Sequence, residues 1–395
     1  VSVNEGIIPA GKTQNSFIPF DVKIENRLPT YKEKDAIYTY HFYRLLQRAR
    51  NIHLVYNTEP DVLNGGEPSR FIAQLQFEGL HNLKHQIVVP KISTQNLKLQ
   101  EVIKTPQIIE QLKFIAVEGF SPSSLGQYIR NPIDFYNYKI LGIEQPNELE
   151  ETIEASTFGS VIHLTLKEFY SNFVGHKLEV SKLETLKPKI QDTVYHYFKK
   201  LYKKGDLSKG KNFISLEIAK RYIHNFIDEE IQFIKDGNEV LIQSIEETVE
   251  FDFQYSEFEF PIKLKGNVDR IDICNGTQRI IDYKTSKVSQ IDLNLIEWDE
   301  ITKDYKKHNK SFQVLMYAYI LSKRQPFEGL TVAGIYSFKN LKARVINFTK
   351  KNKPGLGASK QQYITSEVLQ AFENEMKSLL LELFDPELPF LEKEV

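Results

Sequence analysis

The residues best suited to catalysis lie in one short stretch, Gly266 to Thr285, which contains three aspartates and a lysine. Its Asn275-Gly276 pair, set between two runs rich in apolar residues, predicts a two-residue β-hairpin turn. That turn places Asp269 directly opposite Asp282, with Cβ atoms roughly 4.5–5.5 Å apart. Lys284 lies two residues beyond Asp282 and therefore on the same face of the hairpin. We thus expect two carboxylates and an ammonium group to share one surface.

Two carboxylates this close repel each other, and a bound cation is the simplest group that would stabilise the arrangement. Their hard oxygen ligands suit Mg²⁺ or Mn²⁺. A metal held by two carboxylates can polarise a phosphodiester, lower the pKa of a bound water and stabilise the charge of the transition state. A neighbouring lysine can position the attacking water or neutralise phosphate charge. The pattern therefore predicts metal-dependent hydrolysis of phosphodiesters.

The other face of the hairpin supports the same register. It is expected to carry Val268, Ile281 and Tyr283, together with a cross-strand pair between Asp272 and Arg279. An opposite-charge pair across two strands is stabilising. Two alternatives stay open. The two site aspartates could be ordinary exposed polar residues, or a longer loop or a β-bulge could break the pairing.

The composition is that of an ordinary globular protein and excludes several classes. Of 395 residues, 41% are apolar and 26% are charged, and the length predicts two or three domains. No apolar run approaches the roughly 20 residues that span a bilayer, and no secretory signal opens the sequence. The single cysteine, Cys274, rules out an internal disulfide framework and fits a reducing cytoplasm. Because the sequence begins with Val1 rather than Met, we expect a fragment of a longer protein.

A net charge of −1 means that any contact with nucleic acid must come from local basic patches. The two densest lysine clusters are Lys199, Lys200, Lys203, Lys204, Lys209 and Lys211, and Lys303, Lys306, Lys307 and Lys310. Each is interpreted equally well as a DNA contact or as a solvated helix end or loop. A metal site made of carboxylates itself needs acidic residues, so a neutral balance is compatible with it.

Periodicity and turn signals predict the elements that position these residues. Residues 1–90 are expected to be a mixed α/β piece, with a helix from Asp35 to Leu46 and a strand from Ile52 to Tyr56. Residues 91–117 are predicted to be a connector, since they are rich in Lys and Gln and contain the breaker Pro106.

Residues 118–395 are expected to form the main domain. Ser121-Pro122 is a typical helix start, and helical patterns continue to about Asp236, where Gly237 ends a long amphipathic helix. Later elements are predicted as strands at 248–253, 257–264, 267–274 and 277–284, a helix at 310–322, strands at 331–338 and 343–349, and a helix at 365–383. Helices, then a meander, then helix, strands and helix indicate an α/β or α+β arrangement.

The catalytic stretch resembles the PD-(D/E)xK nuclease superfamily, in particular its RecB-like and AddB-like branch. The resemblance rests on four motifs in family order and spans about residue 118 to the C-terminus. They are the opening helix from Ser121 to Phe135, the G-x-x-x-H motif Gly159 to His163, the hairpin segments Gly266 to Asp272 and Ile281 to Thr285, and the Q-x-x-x-Y motif Gln313 to Tyr317. One motif alone is weak, but four in this order are specific. The resemblance implies a restriction-endonuclease-like mixed central sheet flanked by helices.

The same resemblance implies roles for individual residues. The metal would be bound by His163, Asp269, Asp282 and the backbone carbonyl of Tyr283. Lys284 would be the catalytic cation. Isolated from the other motifs, a histidine such as His163 is more often a core or surface residue than a ligand.

Two pairs of residues four apart in the sequence would each share a helix face. Gly159 would let its helix approach the sheet closely while His163 reaches the metal. Gln313 and Tyr317 resemble residues that border the site and touch DNA phosphate. The simpler interpretation of this second pair is packing, because much of the surrounding helix is apolar.

Some members of this branch carry an iron–sulfur cluster on four cysteines, one of them before a proline near the opening helix. Here that place is Asn131-Pro132, and the chain has one cysteine in total, so no iron–sulfur cluster is expected. We expect packing of Phe135, Tyr136 and Tyr138 to supply the stability that the cluster gives elsewhere.

Residues 1–90 resemble the last part of a helicase motor domain from the superfamily that includes RecB and AddB. Val3 to Pro9 is similar to its N-[ED]-G-x-x-P loop, and Tyr43 to Arg50 is similar to its motif VI. Arg48 matches the arginine that senses the nucleotide γ-phosphate, but Gln47 replaces the usual threonine. The simpler interpretation is a basic amphipathic helix followed by a strand.

These observations predict a Mg²⁺- or Mn²⁺-dependent DNA nuclease, acting as an exonuclease on single strands during DNA-end processing for double-strand break repair and recombination. It would be part of a longer helicase–nuclease, or would work with a helicase partner subunit on single strands or duplex ends. The alternative is a non-catalytic DNA-binding or scaffold subunit with a retained nuclease fold. An ATP-driven motor is disfavoured, because the sequence contains no G-x-x-x-x-G-K-[ST] phosphate loop.

Overall fold

The structure is a computed structural model that describes residues 3–9, 20–25, 27, 30–57, 67–89, 99–143, 150, 152–202, 206–355 and 357–393. The chain divides into two compact units, Val1–Asn96 and Leu97–Val395. All motifs of the nuclease resemblance fall in the second unit. Among the described helices, none combines the length and the apolar composition that a membrane crossing needs.

The described helices of the first unit are α1 (Phe20–Glu25), α2 (Tyr31–Leu46) and α3 (Arg70–Glu78). A small core includes Val3, Phe42 and Leu75. Asn4 ties the loop at the start of the unit to two other segments, because its amide donates to the carbonyls of Asn57 and Glu67.

The predicted helix from Asp35 to Leu46 is confirmed within α2, but the predicted strand from Ile52 to Tyr56 is wrong. Within this segment only Val55 forms a β-bridge, and its carbonyl accepts from the Val3 amide at 2.8 Å. A single backbone partner is too little to extend a ladder, so the β-rich sequence stays irregular.

The strands of the second unit are β1 (Glu101–Val102), β2 (Val240–Phe253), β3 (Ile262–Cys274), β4 (Thr277–Lys284), β5 (Asn294–Leu295), β6 (Thr331–Ser337), β7 (Val345–Asn347), β8 (Thr349–Lys351), β9 (Lys360–Gln361) and β10 (Phe390–Leu391). Its α-helices are α4 (Pro106–Glu118), α5 (Pro122–Arg130), α6 (Pro132–Phe135), α7 (Ala155–Ser171), α8 (Val180–Glu184), α9 (Ile190–Leu201), α10 (Gly210–Lys235), α11 (Glu300–Lys303), α12 (Tyr305–Arg324) and α13 (Ser366–Phe384).

A five-stranded sheet in the order β2-β3-β4-β6-β7 forms the centre of the second unit. Strands β2, β3 and β4 are antiparallel neighbours, whereas β4 and β6 are parallel and β6 and β7 antiparallel. The parallel step requires a crossover, which α11 and α12 supply. The expected mixed central sheet flanked by helices is therefore confirmed.

Helices cover both faces of this sheet and create two hydrophobic cores. On one face, α4, α5, α12 and α13 pack over residues that include Ile271 and Ile280. On the other face, α7, α9 and α10 pack over residues that include Ile281 and Tyr283. Consecutive apolar residues at 280 and 281 follow from this double burial, because neighbouring side chains of a strand point to opposite faces.

The predicted connector is wrong for the part of it that the structure describes. Thr105 caps α4 by accepting from the Ile108 amide, and Pro106 follows in the first turn, where its missing N–H is not needed. Pro106 therefore starts a helix instead of interrupting one. Residues 91–98 lie outside the described residues.

Strand β1 pairs with β10 and joins the two ends of the second unit. Next to β1, Lys104 is buried, and its ammonium donates to the carbonyls of Glu382 and Asp385 at 2.8 and 3.1 Å. These carbonyls lie at the end of α13, where a helix leaves acceptors without intrahelical partners. Burial lowers the pKa of Lys104 to about 8.

Helix α5 begins as predicted, with Ser121 as its N-cap and Pro122 in the first turn. Asn131, in the Asn131-Pro132 pair singled out by the sequence analysis, caps α6 by accepting from the Ile133 amide. The Phe135 ring is fully buried and contacts the rings of Tyr128 and Phe390. Of the other two aromatic residues predicted to pack here, Tyr136 also contacts Phe390 and Tyr138 is half-buried.

Two predicted strands, 257–264 and 267–274, turn out to be one. Strand β3 is continuous because Lys265 and Gly266 pair with Glu250 and Val249 of β2. The predicted strand at 343–349 is instead divided between β7 and β8, which enter different sheets.

The hairpin between β3 and β4 has the predicted register from the turn to the pair Arg270–Ile281. The paired residues stop there, so the direct pairing of Asp269 with Asp282 stays a prediction. Cys274 pairs with Thr277, and Asp272 pairs with Arg279. Asn275 and Gly276 have φ values of 49° and 82°, the left-handed conformations that this tight turn requires.

The expected position of Val268 is wrong, because β3 changes face at Asp269. Val268 packs in the core beneath α12, whereas Arg270 points to the opposite face and reaches Glu230 of α10. In a regular strand, residues two apart share a face. The backbone at Asp269 therefore departs from the regular pleat.

Strand β2 is irregular at the residue opposite Asp269. Glu247 pairs with Val268 and Ile245 pairs with Arg270, but Glu246 between them has a φ of 50°. This left-handed conformation is uncommon for a residue with a side chain. The two irregular residues, Glu246 and Asp269, face each other across the strands.

A buried charge network lies behind the hairpin. Arg270, only 1% exposed, donates from Nε to Asp272 at 2.6 Å and from Nη1 to both oxygens of Glu230. Arg279 donates two further hydrogen bonds to Asp272, at 2.6 and 2.8 Å. Burial alone would raise the pKa of Asp272, but the two arginines outweigh it and hold that pKa below its usual range.

We expect Asp272→Ala to lower the free energy of unfolding by about 3–5 kcal/mol, since it leaves two buried arginines with one carboxylate. Urea denaturation followed by circular dichroism measures the change. Asp252→Ala is the matched control, because the Asp252 side chain is 61% exposed and makes only a 3.9 Å ion pair. Equal, small losses in both variants would contradict a stabilising role for the network.

Candidate active site

The predicted site residues meet at the Lys284 end of the central hairpin. Helix α7 brings His163 to one side of the hairpin, and α12 brings Gln313 and Tyr317 to the other. Strand β3 supplies Asp269, and β4 supplies Asp282, Tyr283 and Lys284.

His163 and Asp269 are in direct contact. The Nδ1 atom of His163 lies 3.1 Å from Oδ1 of Asp269 and 3.4 Å from Oε1 of Glu246. The other oxygen of Asp269 accepts from the backbone amide of Tyr283 at 2.5 Å. Asp269 is therefore held from both strands of the hairpin and from α7.

Asp282 is held by a second set of contacts. The Gln313 amide donates to Oδ1 of Asp282 at 2.8 Å and to the Tyr317 hydroxyl at 2.9 Å. The Lys284 ammonium lies 2.8 Å from Oδ2 of Asp282. Gln313 and Tyr317 thus lie on one face of α12, beside Asp282.

Burial and neighbouring carboxylates shift the pKa values of the ionisable groups in the site. Burial, and then the negative charge of Asp282, raise the pKa of Asp269 to about 6. Burial would lower the pKa of Lys284, but Asp282 outweighs it and raises that pKa, so the lysine keeps its charge. Burial also opposes the charged form of His163, yet the hydrogen bonds that its ring donates to Asp269 and Glu246 raise its pKa to about 10.

Glu246 is the site residue that the sequence analysis missed. Its carboxylate is held by the side-chain amide of Asn267 at 2.5 Å and points to His163. The signal that could have found it is the pairing of β2 with β3, which places Glu246 opposite Asp269. The eight-residue connection between those strands has no tight-turn motif that would fix this register from sequence.

The donor set fits a divalent cation. One ligand atom each from His163, Glu246 and Asp269 lies within 4.8 Å of the other two. With Asp282 included, three carboxylates and one ammonium leave a net charge of −2 when His163 is neutral. A divalent ion neutralises this charge, and nitrogen with oxygen ligands suits several such ions.

Of the two glycines in the motifs beside the site, Gly266 rather than Gly159 is required by close packing. A Cβ on Gly266 would lie 2.6 Å from Cε1 of the buried Tyr317 ring. A Cβ on Gly159 would lie 3.9 Å from its nearest neighbour, Oγ1 of Thr285, which is an ordinary contact. The expectation that Gly159 permits a close approach of α7 is therefore wrong.

A mixed sheet of this topology, with acids and a lysine at the open end of its central hairpin, is the fold of the restriction-endonuclease-like nucleases. The chain belongs to the PD-(D/E)XK nuclease superfamily, since the model of that family matches residues 119–394. Membership gives residues 119–394 the fold on which this superfamily builds its nuclease sites.

Curated relatives are found in Rickettsia. An uncharacterized protein of Rickettsia felis is 26% identical over 187 residues, which are 44% of this chain and 20% of the relative. An uncharacterized protein of Rickettsia typhi is 23% identical over 212 residues, 51% of this chain and 22% of the relative. The chain spans only about a fifth of the length of these relatives.

Among solved structures, a "putative exonuclease" of Eubacterium rectale is similar to this chain. The two are 13% identical with a TM-score of 0.36, and the match covers 77% of this chain and 90% of the other.

We expect Gly266→Ala to lower the free energy of unfolding by about 1–3 kcal/mol, because the new methyl group overpacks against Tyr317. It should also lower nuclease activity, since Tyr317 shares a hydrogen bond with the glutamine that holds Asp282. Gly159→Ala is the matched control and should be neutral or stabilising, as alanine favours helix. Thermal denaturation and a cleavage assay measure both effects, and a tolerated Gly266→Ala would contradict the packing argument.

Proposed function

We propose that this chain is a Mg²⁺- or Mn²⁺-dependent deoxyribonuclease of the RecB/AddB type, acting as an exonuclease on single strands. The observation that carries the proposal is the convergence of His163, Glu246 and Asp269 within 4.8 Å. Asp282 and Lys284 lie beside them, 2.8 Å apart. Carboxylates, an imidazole and a protonated lysine together are the groups that metal-dependent phosphodiester hydrolysis needs.

In this proposal the metal ligands are His163, Asp269, Asp282, the Tyr283 carbonyl and, in addition, Glu246. A bound divalent ion would polarise the phosphodiester and offset the negative charge that develops on it. Hydrogen bonds within the protein orient these carboxylates before an ion binds. The Tyr283 amide holds one oxygen of Asp269, and the Gln313 amide holds one oxygen of Asp282.

Lys284 would act as the catalytic cation. Because Asp282 raises its pKa, the ammonium stays charged at neutral pH and can donate hydrogen bonds to a phosphate oxygen or to the attacking water. Gln313 and Tyr317 would line the DNA side of the site, where the Tyr317 hydroxyl can also contact phosphate. The presence of all these residue types disfavours a purely scaffolding protein.

We further propose that the nuclease serves DNA-end processing in double-strand break repair and recombination, within a longer helicase–nuclease or beside a helicase partner. The motifs of residues 1–90 that resemble a helicase motor support this context, as does the much greater length of the Rickettsia relatives. The single cysteine fits work in the cytoplasm, where thiols stay reduced.

Asp282→Asn and Lys284→Ala should each reduce cleavage of a fluorogenic single-stranded DNA by at least about 100-fold, because each removes a charge at the reacting phosphate. EDTA should abolish cleavage by the unaltered protein. Asp252→Asn and Lys287→Ala are the controls, since both residues are charged and lie at the exposed surface. Full activity in both site variants would refute the assignment, and folding is checked by circular dichroism.

Metal binding should displace a proton. The pKa of His163 is raised to about 10, so at pH 8 the ring is protonated in the metal-free protein and must lose that proton to bind an ion. Asp269, with its pKa near 6, is already ionised at pH 8. Calorimetric titration with Mn²⁺ in buffers of different ionisation enthalpy should give release of about one proton. His163→Asn should bind more weakly and release none, and a buffer-independent enthalpy for the unaltered protein would contradict this account.

A further inference from the structure

The two lysine clusters of the sequence have different surroundings. In the second cluster, Lys303, Lys307 and Lys310 are paired with Asp299, Glu300 and Asp292. In the first cluster, Lys209 pairs with Asp206 at 3.4 Å.

Lys199, Lys200 and Lys211 of the first cluster differ from those paired lysines. No carboxylate of the described residues lies within 4.0 Å of their ammonium groups. The first cluster therefore presents positive charge that neighbouring acids do not neutralise. Lys203 and Lys204 lie outside the described residues.

Exposed aromatic rings lie on the same two helices as these lysines. Tyr195 on α9 is 44% exposed, and the Lys199 ammonium lies 5.7 Å from the centre of its ring. Phe213 near the start of α10 is also 44% exposed. The end of α9 and the start of α10 are neighbours, because the Asn212 amide donates to the Tyr202 hydroxyl at 3.3 Å.

The buried side of α9 contacts α7, the helix that supplies His163. The Phe198 ring, next to Lys199, packs against Phe158 with ring centres 6.4 Å apart. The next residue, Gly159, faces Thr285, which directly follows the catalytic lysine. Phe198 and Phe158 therefore link α9 to the part of α7 that faces the end of the hairpin.

We propose that Lys199, Lys200, Lys211, Tyr195 and Phe213 form a lysine–aromatic surface that binds single-stranded DNA outside the active site. The lysines would contact phosphates, and the exposed rings would stack on bases. A single strand offers unpaired base faces to such rings, whereas a duplex keeps its bases stacked inside. This inference rests on the proposed function, because it names a holding site for the substrate of that nuclease.

Binding can be measured separately from cleavage. Fluorescence anisotropy of a labelled oligothymidylate, recorded in EDTA over a series of salt concentrations, gives the dissociation constant and its salt dependence. For single strands, each phosphate contact contributes about −0.7 to the slope of log K against log salt. The double variant Lys199→Ala/Lys200→Ala should therefore bind more weakly and reduce the magnitude of the slope by about 1.4.

Tyr195→Ala tests the stacking part of the proposal. It should weaken binding at least about fivefold and leave the salt slope unchanged, because it removes a ring and no charge. The matched control for the lysines is Lys177→Ala/Lys182→Ala, which removes the same charge from residues paired with Glu239 and Glu179. The control should bind as the unaltered protein does.

The outcomes separate this proposal from the proposed function. Hydrolysis of bis(p-nitrophenyl) phosphate with Mn²⁺, a diester too short to reach the surface, should be unchanged in Lys199→Ala/Lys200→Ala. Unchanged affinity and slope in that variant, or an equal loss in the control, would overturn the lysine–aromatic surface. Absence of hydrolysis by the unaltered protein would instead refute the nuclease assignment and leave the binding result standing.

Discussion

Mutual repulsion between carboxylates at one end of the central hairpin is the constraint that the rest of the second unit must satisfy. Two unit charges about 4 Å apart repel by about 4 kcal/mol at an effective dielectric constant of 20. Around Asp269 and Asp282 the protein places a backbone amide, a glutamine amide, an ammonium group and a protonated imidazole. These groups come from β4, α12 and α7, so the site exists only when the sheet and both helix layers are assembled.

The irregular backbone at Glu246 of β2 and Asp269 of β3 directs their two carboxylates toward His163 of α7. Val268 is fixed in one core and Arg270 in the other, so the residue between them cannot follow the regular pleat. The charge network of Arg270, on the α10 side of the sheet, stabilises this change of face. A local departure from ideal strand geometry is thus stabilised by burial on both sides, a common property of functional sites.

The hairpin could be predicted from sequence because its register depends on two adjacent residues, Asn275 and Gly276. The same holds for helices with strong caps, such as the one that begins at Ser121-Pro122. Glu246 could not be predicted, because the register of β2 depends on tertiary pairing across a longer connection. The face of the sheet on which Val268 lies could not be predicted either, since strict alternation is the only rule that a sequence pattern offers. Pro106 was misinterpreted because a proline both ends and begins helices, and the Thr105 cap that precedes it was not taken into account.

The pairing of β1 with β10 has a consequence for how the second unit is made. These strands come from opposite ends of its sequence, and contacts between residues so far apart in sequence form late and slowly. The ribosome synthesises the chain from its N-terminus, so β1 can pair with β10 only after almost the whole unit has emerged. Completion of the second unit during biosynthesis therefore depends on β10, and translation products that end before β10 cannot form this pair.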